Sequence, residues 1–264
     1  MTTTTAPPAR AVAPSHHAPV RRPSLLRLTT VELRKLADTR AGRWLLITIG
    51  LVTVAIVTLL LIYGEKDEQT LVTFFVPSLL PVSALLPVLG ILSITSEWSQ
   101  RTALTTYALV PRRERVVAAK LIAVVLAALA SVLVTLAVAA VGTLVASATG
   151  GAGTWQIEGS LILHAAIAQV ACVLMGAVFG LVLLNPPLAI VGYLLLPTLW
   201  TVLGQLVRPL RGPSEWLDTS RTMEPLFTSH VTGEQWGRFV VSLLVWLLLP
   251  LAVGLFRTLR REVS

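Results

Sequence analysis

Residues Leu121–Ala146, LIAVVLAALASVLVTLAVAAVGTLVA, decide the fold. The run is apolar over 26 residues and contains no charged side chain. About 20 such residues cross the hydrocarbon core of a bilayer. Backbone groups find no water there, so a lone spanning segment closes its hydrogen bonds within itself, as an α-helix. Five further runs share this character: Trp44–Tyr63, Val72–Thr95, Ser160–Leu184, Leu188–Val207 and Phe239–Phe256. The expected class is an all-α polytopic membrane protein. Its six transmembrane helices fall at about 44–63, 72–95, 116–147, 160–184, 188–207 and 237–256. Composition agrees: 55% of residues are hydrophobic and 13% charged, against roughly 25% charged in soluble domains.

The cationic residues set an orientation. Sixteen of the 21 Lys and Arg residues fall before the first run, between the second and third, or after the sixth. Basic loops stay cytoplasmic, so both termini are expected in the cytoplasm. The net charge of +8 is then a topology signal and a source of attraction to anionic lipid, with no nucleic-acid partner expected. Cys172 is single, so it forms no disulfide within the chain and reads as a small apolar residue.

Residues 1–23, rich in Thr, Ala and Pro, read as a disordered cytoplasmic tail without the apolar core of a signal peptide. Residues 24–264 are expected to form one six-helix transmembrane domain, opening with an interfacial helix over 24–43. Thr29 and Glu32 have capping-box spacing. Leu33, Leu36 and Ala37 share one face, and Arg34 and Lys35 lie on the other, as in a helix lying in the membrane interface. Pro77, Pro81 and Pro87 in the second span predict a bent or broken helix, a candidate lining of a substrate path. Gln169 joins them as the strongest polar residue within a span, with an interhelical hydrogen bond as its other reading. Lys120 is expected to snorkel to the interface. Gly176 and Gly180 have the spacing of a helix-contact motif. Asn185-Pro186-Pro187 predicts a tight turn. In the long segment 208–236, Ser214 is expected to cap a short helix, and Thr232 with Gln235 forms a second capping box. Residues 150–158 read as a flexible loop and His164 as a solvated residue near an interface.

Catalytic signatures are thin. Gly212-Pro213-Ser214 with His230 resembles a nucleophile motif, but lies in an external loop. Glu97 and Arg101 lack the paired Glu and intramembrane His that metal-assisted proteolysis requires. No GxxxxGK[ST] motif occurs, so no nucleotide phosphate is cradled by this chain. Away from the span ends the spans carry no ionisable residue to relay protons. The chain is read as no enzyme, binding no cofactor or metal itself.

The segment Ser96–Lys120, SEWSQRTALTTYALVPRRERVVAAK, remains. Thr102 and Thr105 cap about two helical turns whose apolar face is Ala103, Leu104, Tyr107 and Ala108. A short amphipathic helix between two spans suits a groove on a partner. The pattern Glu97, Arg101-Thr102, Leu104, Pro111-Arg112-Arg113, Lys120 resembles the permease subunit of bacterial ATP-binding-cassette transporters of the ABC type-2 family. Arg101 departs from the Gly found in many members. Glu32-Leu33-Arg34-Lys35 before the first span and the long segment before the sixth resemble the same family. The resemblance implies that 96–115 is a coupling loop, in which Glu97, Arg101, Thr102, Leu104, Thr105, Tyr107, Pro111, Arg112 and Arg113 meet a separate ATPase subunit, present in two copies and carrying ATP-Mg. It also implies a second permease subunit, as homodimer or heterodimer, and export of a substrate across a bacterial cell membrane. A membrane scaffold or sensor that binds a cytoplasmic partner is the competing reading.

Overall fold

The computed structural model describes residues 24–100 and 112–260. Helices dominate the described residues, which contain no β-strand beyond one isolated bridge, Thr70 with Thr154. Six helices are long and apolar enough to span a membrane. In chain order the bundle contains α1 (Leu25–Asp38), α2 (Arg40–Tyr63), α3 (Leu71–Ser99), α4 (Arg113–Ala148), α5 (Gly159–Leu183) and α6 (Pro186–Leu206). The short helices α7 (Arg211–Leu217) and α8 (Thr219–Met223) follow. The last span is α9 (Gly233–Leu243), a π turn (Leu244–Leu248) and α10 (Leu249–Arg260).

α3 and α5 form the centre, and α2 and α6 are largely exposed on their apolar faces. The seam between α3 and α5 is close because glycine permits it. A Cβ on Gly176 would stand 2.4 Å from the Pro87 carbonyl oxygen, and one on Gly180 would stand 3.1 Å from that of Ile91. The glycine pair is therefore spent inside the chain, on α3, and is not a dimer face. Pro77, Pro81 and Pro87 sit within one continuous 29-residue helix, so the expected break does not occur. Gln169, fully buried, donates to the Leu79 carbonyl (3.3 Å) and the Ser83 hydroxyl (2.8 Å), which is the interhelical bond of the two readings.

α1 is a separate helix, not an extension of α2. Thr39, extended at φ −69° and ψ 143°, stops α1 and then caps α2 by accepting from the Gly42 N–H. The N-cap of α1 is Ser24, not Thr29, which lies one turn inside the helix. α4 runs 36 residues, about 54 Å at about 1.5 Å per residue, well beyond a hydrocarbon core of about 30 Å. The turn between α5 and α6 forms as expected: Leu184 is left-handed at φ 52°, and the Asn185 side chain accepts from the Leu188 N–H.

At the far end of the bundle, the 150–158 loop is tied down rather than loose. Ala152 N–H donates to the Lys66 carbonyl, Gly153 N–H to that of Gln69, and Leu71 N–H to that of Thr154. α7 and α8 fold back on the bundle. Ser214 lies inside α7, buried against Gly204, and donates to the Arg211 carbonyl, so it caps nothing. Asp218 caps α8 instead. His164 contacts the Thr228 carbonyl oxygen through Nδ1 at 3.0 Å and meets Trp236 edge-on, held by the end segment rather than simply solvated. The Thr232–Gln235 capping box is present with both bonds. It starts the last span at Gly233, earlier than its apolar residues indicate. Pro250 lacks a donor for that helix; the ladder widens just before it, Leu249 N–H reaching the Leu244 carbonyl.

Candidate functional site

The amphipathic stripe of α1 carries an acid among its apolar residues. Glu32 shares its face with Thr29 and Leu36, and all three are buried. In α4, Lys120 is flanked by the buried residues Val116, Val117, Ala119, Ala123 and Val124. In α3, the last turn brings Glu97 inward. Burying any one of these charges alone would cost several kcal/mol, so the three elements stay together only if the charges meet.

They meet in a ring of alternating sign. Lys120 Nζ lies 2.7 Å from Glu32 Oε2 and 3.1 Å from Glu97 Oε1. Lys35 Nζ lies 2.7 Å from Glu32 Oε1 and 2.8 Å from Glu97 Oε1. Lys120 also donates to the Ser93 carbonyl at 3.0 Å. Glu32, Glu97 and Lys120 are 7%, 8% and 4% exposed, while the Lys35 side chain keeps 44% of its surface in contact with solvent. The four formal charges cancel. Burial disfavours the Lys35 ammonium, but the bonds and charges of Glu32 and Glu97 outweigh that and raise its pKa above 10.5.

The expectation that Lys120 snorkels is therefore overturned. Its ammonium turns into the protein because two carboxylates there replace the water it would otherwise seek. The Thr29–Glu32 spacing misled in the same way: Glu32 serves the ring, not a helix cap. One signal was available in the sequence. An acid on the apolar stripe of one helix and a single cation in the apolar run of another are each too costly to bury unpaired.

The ring stands at the root of the 96–120 segment. α3 ends at Ser99, where Gln100 closes the helix on the Ser96 carbonyl, and Arg112 is the exposed N-cap residue of α4. Glu97 and Lys120 thus tie the two ends of the segment to each other, and Glu32 and Lys35 tie both to α1. Arg101, Thr102, Leu104, Thr105, Tyr107 and Pro111 lie outside the described residues; Arg113 opens α4. On α1, Leu33 and Leu36 pack into the core and Arg34 is exposed. Pro87 and Gln169 are buried in the α3–α5 seam, Pro81 is buried on α3, and Pro77 is partly exposed on α3. No protein-family model matches the chain, and comparison with curated proteins gives no significant match.

Proposed function

We propose that this chain is the membrane-spanning permease subunit of an ATP-driven exporter of the ABC type-2 kind. In this reading α1 and the 96–115 loop face the cytoplasm. Two copies of a separate ATPase subunit, holding ATP-Mg, press on the loop, and a second permease subunit completes the path. The cargo is an amphiphile carried between the two permeases.

The observation that supports this most is the charge ring. A loop that transmits force between subunits must not yield at its roots. Four paired charges from α1, α3 and α4 make those roots one unit, so displacement of the loop is passed to α3, the central helix, rather than absorbed locally. A loop serving only orientation requires no such tie.

The test is Leu104→Asp, which puts a charge among the apolar residues of the proposed coupling loop and leaves every span untouched. Membrane insertion is expected to be normal, while association with the ATPase and nucleotide-coupled activity fall. Full association and activity in this variant would refute the docking assignment and favour a scaffold that engages its partner elsewhere.

A further inference from the structure

Between α1, α2, α3 and α4 the protein holds two adjoining cavities, of which only the first reaches charged side chains. The first, about 460 Å3, opens at the α1–α2 junction; its charged lining is Lys35, Lys120 and Glu32, which neutralise one another in the ring, and Arg40, and it also touches Leu36 and Leu89. The second, about 380 Å3, shares those two leucines and continues along α2 and α4, walled by Ile49, Gly50, Ala130 and Val138 among others. From Arg40 to Thr53 the pair covers about 20 Å of α2. That depth matches a headgroup layer plus half of a hydrocarbon core of about 30 Å. Charged side chains line only the outer part of that depth, as the charge of a lipid lies only in its headgroup.

Length narrows the occupant. The second cavity follows α4 from Ala127 to Val138, about 17 Å. A mainly aliphatic slot of that length suits one extended hydrocarbon chain. Charge narrows the headgroup. Lys35 is already paired with Glu32 and Glu97, but Arg40 is exposed and makes no hydrogen bond or ion pair among the described residues. Arg34 and Arg43 lie nearby on the exposed surfaces of α1 and α2.

We infer that this cleft holds one anionic phospholipid, its phosphate at Arg40 and one acyl chain between α2 and α4. The lipid lies against α1 and so adds to the contacts that seat α1 on the ring. This site belongs to one chain and does not depend on the exporter reading.

Gly50 gives a clean test, because a Cβ there meets nothing within 4 Å. Gly50→Phe fills the cleft without a backbone clash, and Ala130→Phe fills it from the opposite wall. Native mass spectrometry would follow the purified chain with equimolar dioleoylphosphatidylglycerol and dioleoylphosphatidylcholine. The wild type is expected to retain one phosphatidylglycerol per chain. Both filling variants should lower that occupancy at least tenfold, with Leu195→Phe on the exposed face of α6 as the unaffected control. Arg40→Gln should lower the preference for phosphatidylglycerol about fivefold, the share of one surface cation, while chain-driven retention persists. Undiminished retention in both filling variants would overturn the site. So would loss of self-association with lipid occupancy unchanged, which would make the cleft an interface between copies. An unaltered lipid preference in Arg40→Gln would overturn the headgroup assignment.

Discussion

Lys120→Met removes the most buried cation of the ring and keeps its aliphatic bulk. Glu32 and Glu97 then face each other's charge with only the half-exposed Lys35 between them. Breaking a buried ion pair by deleting one partner costs about 3–5 kcal/mol. Lys35 remains within 2.8 Å of both carboxylates and offsets part of that, so the expected loss is about 3 kcal/mol. Lys35→Met should cost about 1 kcal/mol, since its solvent-exposed ammonium is partly screened. The assay is thermal or denaturant unfolding of the detergent-purified chain. A double-mutant cycle with Glu32→Gln adds a second reading. The two single losses should exceed what the double variant loses, because the pair removed together leaves less charge stranded. A Lys120→Met protein within about 0.5 kcal/mol of wild type, as surface substitutions usually are, would refute the ring and restore a snorkelling lysine.

Three further outcomes follow from the packing and the charges. Gly176→Ala should cost about 1–3 kcal/mol by overpacking against the Pro87 carbonyl and leave oligomeric state unchanged; a change of oligomeric state with unaltered thermal stability would return the glycine pair to a dimer face. Thr53→Val removes a buried hydroxyl that has no partner among the described residues and should raise the melting temperature, by about 1 kcal/mol of stability; a loss of stability would mean the hydroxyl is bonded. The raised pKa of Lys35 means that its contribution is fully present below the ordinary value of 10.5 and is lost as pH climbs through the higher folded value. Protease access to the α1–α2 junction should therefore be flat across neutral pH and rise only in strong alkali, whereas a rise between pH 6 and 9 would contradict the assignment.

Much of the fold was legible in the sequence because lipid leaves the backbone few options. Leu121–Ala146 and its five companions had to be helices, and each of the six long helices covers its run to within one residue. Termini were legible where side chain and backbone bond locally, as at Asn185 and Thr232. They were misread where the same residue types had distant partners. Thr29 and Glu32 have the spacing of a cap, but Thr29 lies inside α1 and Glu32 reaches Lys120 in α4, and Ser214 sits against Gly204 rather than at a helix start. The order in the 150–158 loop rests on backbone bonds to residues 66–71, about 80 positions earlier, which no local pattern records. The candidate site divides the same way. Glu97 and the Glu32–Leu36 segment were singled out from sequence, but their union through Lys120 was not. A cation near a span end looks alike whether it faces water or a buried carboxylate.

If a separate ATPase works through the 96–115 loop, the two proteins leave the membrane together. Gentle-detergent affinity purification from native membranes, with every stoichiometric partner identified, is therefore the decisive measurement. The expected result is a co-purifying protein with a GxxxxGK[ST] motif in two copies per two permeases. A folded, dimeric preparation in which no partner carries that motif would contradict it.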